Sequence, residues 1–439
     1  MEQFYVQSIL ISIVIFSIFC YTVLTYGSES VLVNPTIEKI SFYRDYLFLT
    51  IIPYIYYVNN DNYQQHYILS NLDSNAYFVY AGLNSALFML LFLFTYRVIF
   101  KPMARTLSKI QGSFSLRNYR SSLVFLLVIF IVYFLFISVK YKAGLWGFLN
   151  SGMSEINESR HTLSTGGGIL SLNKIFVQSW IPILSYTIFY IHLKYERSRI
   201  LVAASFILGA LAAIYFFEKS TLFFFLLGYV AVYLYAGNKI SITIILSAFV
   251  TAIVVVSFMY LITYGDRISG SDYLLDIIIH RTTTQSVGSV MALNYFDRHD
   301  YFYLAGISNL LANISGESFR SVYSALIAYY DPANADISGS LSSFAAGEAY
   351  GLFGYSGVIW GGVVVGLFYA FLETSKYSKN LSLLFVGFYG LYYSHFYIAS
   401  GFYSFIWPVG MVYDMAPFLI IFIIAKIKSE YMSFAKERI

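Results

Sequence analysis

Apolar residues run in long blocks along this chain, and short polar joints cut the blocks at intervals. A helix crossing the hydrocarbon layer of a membrane needs roughly 17 to 25 such residues in succession. About eleven windows meet that pattern: 4–26, 42–58, 75–97, 121–139, 173–193, 199–216, 219–236, 240–264, 345–372, 379–398 and 402–427. The window 42–58 is the shortest, and Arg44 and Asp45 stand at its start. Two stretches are too long to be joints, 140–172 and 265–344. Structureless loops beyond about 15 residues are usually functional or disordered, and 265–344 is too rich in aromatic and aliphatic residues for a disordered linker. Within it, "SDYLLDIIIHRTTTQSVGSVMALNYF" and "SFRSVYSALIAYY" space their apolar residues as helices do, which predicts helices on, or dipping into, one membrane face. No repeat or low-complexity tract stands out. The expectation is an all-α, polytopic integral membrane protein, one domain over 1–439, capped on one face by the segments 140–172 and 265–344.

Composition sharpens this picture. Hydrophobic residues make up 58% of the chain and charged residues 11%, and the mean hydropathy is +0.67; an ordinary soluble domain carries about 25% charged residues. The net charge of +4 is a sum over two unlike membrane faces, so it gives no ground for a nucleic-acid partner. The single cysteine, Cys20, lies in the first apolar window and forms no intrachain disulfide. The start "MEQFYVQSIL" lacks a basic leader and reads as a retained helix.

The distribution of charge orients the windows. Arg97, Lys101, Arg105, Lys109, Arg117 and Arg120 fall in one joint without an acid, which marks the cytoplasmic side. Alternation then brings Lys194, Arg197, Arg199, Lys239, Lys376, Lys379 and the basic tail to that side, and puts the N-terminus and both long segments on the other.

Against this background the stretch "YFFEKSTLFFF" stands out, because a charge at bilayer depth costs roughly 2.5 to 3.5 kcal/mol by insertion measurements. Alternation puts Glu218 and Lys219 at an external turn between two helices. A solvated turn whose side chains snorkel to the headgroups is the ordinary explanation. Three external arginines, Arg160, Arg281 and Arg320, share that compartment with Lys219. Arginine grips phosphate with two parallel hydrogen bonds and lysine adds a point charge, so several around one cavity suit a lipid-linked phosphate or pyrophosphate. Singly, each fits a salt bridge within the cap, to Asp276 or Glu317 for instance, or a headgroup contact better than a catalytic role. His161 follows Arg160, and His280 precedes Arg281 with Asp276 one helical turn before it. That carboxylate would orient the imidazole and raise its pKa, giving a base for a sugar hydroxyl; an interfacial histidine with ordinary hydrogen bonds is the alternative. Gly166, Gly167 and Gly168 would let backbone amides approach a phosphate, or simply form a turn. No P-loop, HExxH, metal-ligand spacing or G-x-S-x-G elbow is present, so no metal or nucleotide cofactor is expected.

The stretch "ISGESFRSVYSALIAYYDPANADISGSLSSFAAGEAYGLFGYSGVIWGGVVVG" resembles the Wzy-type polymerases of bacterial O-antigen and capsular repeat units. An Arg-bearing external helix and an Asn/Asp/Ser-rich loop lead into a glycine- and aromatic-rich helix. "FFEKSTLFFFLLGY" looks like that family's external cation between two central helices, and the layout of many helices with two large external segments covers nearly the whole chain. The resemblance implies a GT-C-like fold in the bacterial inner membrane with its active site facing the periplasm. It implies undecaprenyl-pyrophosphate-linked glycans as substrates, a chain-length regulator and membrane lipids as partners, and no cofactor. It also implies that Arg160, Arg281 and Arg320 are functional periplasmic arginines and that Lys219 is the membrane-level cation. The chain departs from the related O-antigen ligases, with Ser340, Ser342 and Ser343 where those carry a late histidine, and its glycines 166 to 168 lie closer to Arg160 than the family's glycine does. Polymerase, ligase, and flippase or exporter of lipid-linked oligosaccharide are the functions in play. A flippase calls for cations lining a central cavity and a pseudo-repeat, and the sequence displays neither.

Overall fold

The computed structural model describes residues 2–25, 36–59, 72, 74–110, 116–141, 169–195, 198–215, 221–239, 287–332, 344–396, 398–406 and 408–437. Among the described residues all regular structure is helical. Six helices are long and apolar enough to cross a membrane: Phe4–Leu24, Ala76–Ser108, Asn118–Tyr141, Leu172–Tyr195, Ala345–Tyr377 and Gly410–Lys428. Each falls on a window expected from the sequence. The windows 199–216 and 219–236 form shorter apolar helices, Arg199–Ala213 and Thr221–Tyr235, and the window 240–264 lies outside the described residues. Of the two helices expected in 265–344, the described parts are Val287–Phe296 and Val322–Tyr330.

The chain packs as two compact units. One comprises Met1–Pro102, Asp266–Phe371 and Phe396–Pro408; the other comprises Met103–Gly265, Leu372–His395 and Val409–Ile439.

In the first unit, small residues let two long helices touch along their backbones. A Cβ on Gly362 would stand 2.5 Å from the Phe88 carbonyl oxygen, and one on Gly366 would stand 2.8 Å from that of Phe92. The four-residue step is the same on both helices, as in the GxxxG contacts by which apolar helices associate without a hydrophobic driving force. Large rings fill the space beside this seam. Phe88 packs edge-on to Phe344 and Phe402, at 5.6 and 6.2 Å between centroids, and Phe92 packs edge-on to Tyr369 at 5.8 Å.

The helix Ala345–Thr374 is broken at Gly354, where φ is 63° and ψ is −148°, a combination essentially reserved for glycine. The two arms fold so sharply that a Cβ on Gly357 would collide with the Ala349 carbonyl oxygen, although eight residues span about 12 Å of straight helix. Tyr301 packs into the break, its ring 3.0 Å from where a Cβ on Gly354 would be, and the Phe302 N–H donates to the Gly351 carbonyl at 3.2 Å.

Both units contain a widened helical turn, and both place it just before a proline. Ser41–Ile51 is π-helical and Pro53 follows; Phe176–Trp180 is π-helical and Pro182 follows. Proline has no N–H to donate, and its ring crowds the carbonyl four residues back, so the preceding turn relaxes outward. In the first case Thr50 Oγ1 donates to the Asp45 carbonyl at 2.7 Å.

Buried tyrosines stitch the second unit, each hydroxyl finding a partner as burial demands. Tyr119 donates to the Leu383 carbonyl at 3.1 Å and Tyr186 to that of Phe225 at 2.9 Å, while the Tyr235 hydroxyl meets Ser375 Oγ at 2.6 Å.

Candidate functional site

Of the residues singled out from the sequence, Arg160, Lys219, Asp276, His280 and Arg281 lie outside the described residues, as do His161, Gly166 to Gly168 and Ser340, Ser342 and Ser343. Arg320 is described. It precedes the helix Val322–Tyr330, and its backbone N–H donates to the Ala305 carbonyl at 3.2 Å, which holds its stem. The side chain is exposed, and among the described residues no carboxylate, Glu317 included, pairs with it.

The Arg320 charge acts on the Tyr295 hydroxyl, and Tyr295 belongs to a cluster of rings. Burial pushes the Tyr295 hydroxyl above the usual tyrosine range, and the neighbouring Arg320 charge partly offsets that rise. The His299 ring stacks on Tyr295 at 4.0 Å and 5°, and Tyr329 meets both rings edge-on, at 5.2 and 5.6 Å. Residues 295 and 299 are one helical turn apart, which is why they stack. His299 Nδ1 lies 2.8 Å from the Tyr295 carbonyl oxygen, which can only accept, so this hydrogen bond needs Nδ1 as its donor and leaves Nε2 facing outward for another partner. Tyr329 and Tyr303 are about half exposed. Flat rings beside a cation and an imidazole can stack on sugar faces while gripping a phosphate.

The tyrosines between 301 and 330 divide into two groups in the structure. Tyr330 is buried and accepts from Asn294 Nδ2 at 2.5 Å; Tyr323 donates to Glu348; Tyr301 fills the break at Gly354. These three build the scaffold, and Tyr303 and Tyr329 remain as surface.

Two carboxyl groups that the sequence did not single out as functional hold the segment 398–406. Glu348 is buried, and its Oε2 accepts from the Tyr323 hydroxyl at 3.1 Å and from the backbone N–H groups of Phe402 and Tyr403 at 2.5 and 2.9 Å. Gly401, at φ 140°, turns the chain so that both amides reach one oxygen; a Cβ there would lie 2.9 Å from that oxygen. At the other end of the segment, Asp45 Oδ2 accepts the Ile398 N–H at 3.3 Å, while Arg44 donates to Asp45 through Nε at 2.5 Å and Nη2 at 3.2 Å. Glu348 therefore links the helix that follows Arg320, through Tyr323, to the 398–406 segment. The visible signal was a charge inside an apolar run, at "GEAYG" and at "YRDYL".

The second unit has its own recess, mostly apolar with a few polar groups. A small open cleft is walled by Val177, Pro182, Ala212 and Phe225 and carries Gln178, Thr221 and His395. The π-helical turn supplies Val177 and Gln178, and the His395 ring meets Phe224 edge-on at 5.9 Å. Thr221 is two residues after Lys219 in the chain. Among the described residues no cluster of histidine, cysteine, aspartate or glutamate is arranged to hold a metal ion.

Scans of protein-family models, of curated proteins and of solved structures return no match to this chain.

Proposed function

We propose that this membrane protein is a glycosyltransferase that polymerises undecaprenyl-pyrophosphate-linked oligosaccharide repeat units on the periplasmic face of the bacterial inner membrane. The observation that carries the reading is Arg320, exposed and without a carboxylate partner among the described residues, whose charge acts on Tyr295, the ring that His299 stacks on and Tyr329 meets edge-on, in the segment expected to cap the outer face. A hydroxyl of the incoming unit's terminal sugar attacks the anomeric carbon of the growing chain. The new glycosidic bond forms as the bond to the pyrophosphate oxygen breaks, and undecaprenyl pyrophosphate leaves with the electron pair.

In this scheme Arg281, Arg320 and Lys219 stabilise charge developing on the departing pyrophosphate, the electrostatic contribution that usually dominates such reactions. Arg160 holds a substrate phosphate. The hydroxyl proton passes to an imidazole, that of His280 oriented by Asp276 or that of His299 through Nε2. No nucleotide is required, since the leaving group is already activated. The full complement of about eleven spanning helices, with the N-terminus outside and a GT-C-like cap, belongs to the same proposal.

The test is in vitro polymerisation of a purified lipid-linked repeat unit, read as a gel ladder. Ladder formation by the purified chain supports a polymerase, and single transfer to a lipid core acceptor supports a ligase instead. In cells, deletion of a polymerase leaves single repeat units on the lipid core, whereas loss of a flippase or ligase leaves none. Arg281→Ala is expected to lower ladder synthesis by roughly 10²- to 10³-fold with membrane expression intact; a normal ladder from that variant removes Arg281 from the site.

A further inference from the structure

A second cleft in the Met103–Gly265, Leu372–His395 and Val409–Ile439 unit lies at the basic ends of its helices. It opens as a shallow notch between the first turns of Leu116–Tyr141, the last turns of Ile181–Tyr195 and the start of Arg199–Ala213. Leu123, Ile188 and Leu201 form apolar walls, and Arg120, His192 and Ser198 add polar groups. Exposed Lys194 and Arg199 flank it in the chain. Among the described residues no carboxylate pairs with Arg120, Lys194 or Arg199; the one acid of the joint, Glu196, lies outside them. Ser198 precedes the first turn of Arg199–Ala213, and its hydroxyl caps none of the amides there.

We propose that this cleft binds an anionic phospholipid, its phosphodiester held by Arg120 with Lys194 and Arg199 adding field, and its first acyl methylenes lying on Leu123, Ile188 and Leu201. Two features select this occupant. Positive charge without a carboxylate partner among the described residues, at the end of an apolar slot, matches an anionic head joined to a hydrocarbon tail, and basic pockets between membrane helices recognise lipid heads in this way. In addition, the same helices expose Phe125, Val128 and Ile200, side chains suited to acyl chains and costly to leave in water. A soluble phosphate would use the charge and leave the apolar walls unfilled. This inference does not depend on the polymerase reading.

Native mass spectrometry of the full chain in mild detergent, titrated with phosphatidylglycerol or phosphatidylcholine, tests it. Arg120→Gln is expected to lower phosphatidylglycerol retention about fivefold, the effect of removing one cation near an anionic head. Phosphatidylcholine retention and the surface variant Arg105→Gln should match the parent. Leu201→Phe, which fills an apolar wall and keeps every charge, should lower retention as well and covers the case in which Arg120→Gln does not fold. Unchanged phosphatidylglycerol binding in both cleft variants overturns the proposal, as does equal loss in Arg105→Gln or displacement of the lipid by millimolar inorganic phosphate.

Discussion

Glu348→Ala is expected to destabilise the fold by about 3 to 5 kcal/mol. One carboxyl oxygen satisfies the Phe402 and Tyr403 amides and the Tyr323 hydroxyl. Truncation strands all three, and each buried group without a partner costs about 1 to 3 kcal/mol. Against a net stability of roughly 5 to 15 kcal/mol for a folded domain, that loss is severe. Glu348→Gln keeps a carbonyl acceptor of nearly the same reach and gives up the stronger bonds of a charged one, so it should cost about 1 to 2 kcal/mol. Thermal unfolding and monodispersity of the detergent-purified variants separate these cases. An alanine variant that melts with the parent would show that Glu348 does not hold the 398–406 segment.

Gly357→Ala is expected to be nearly as damaging, at about 3 kcal/mol or more. Its added methyl would strike the Ala349 carbonyl oxygen, a backbone atom on the opposing arm of the broken helix that cannot rotate away. Gly354→Ala makes a graded comparison. There the added carbon meets the Tyr301 ring at 3.0 Å, and the backbone is held at φ 63°, a strain of about 1 to 3 kcal/mol for a residue with a side chain. Both variants should lower the unfolding temperature, position 357 more than position 354. The reverse order would show that torsional strain at 354, and not closeness of the arms, sets the cost of the bend.

These residues also mark what the sequence could and could not reveal. Partition between water and lipid is a local property, so Phe4–Leu24, Asn118–Tyr141 and Leu172–Tyr195 stand in the windows where apolar runs put them. The roles of Glu348 and Asp45 depend on distant partners. Glu348 meets amides 54 and 55 residues away, and Asp45 one 353 residues away. Nearly every residue offers a backbone N–H, so nothing in "SGFYS" announced that its amides would be claimed. The glycines at 351, 354 and 357 were legible as a glycine-rich helix, yet only the torsion at 354 distinguishes a straight rod from a folded one. Pro53 and Pro182 stand inside apolar windows, but the widening ahead of them depends on how the crowded carbonyl relaxes. Of the cations marked as a site, Arg320 is the one described; what the sequence did not supply was its neighbour His299, whose stacking on Tyr295 follows from a spacing of four that went unused.

The break at Gly354 also fixes how the protein meets lipids of different length. Thirty residues of unbroken helix would reach about 45 Å, half again the depth of a typical hydrocarbon layer. With the fold at 354, the lower arm, 355–374, reaches about 30 Å and has no spare turn. A helix with excess length adapts to thicker membranes by changing its tilt, but this arm can follow only by drawing polar ends inward or thinning the surrounding lipid. Reconstitution in long-chain lipids should therefore stress this helix first, and the unfolding temperature in vesicles of graded acyl length should peak where the layer matches the lower arm.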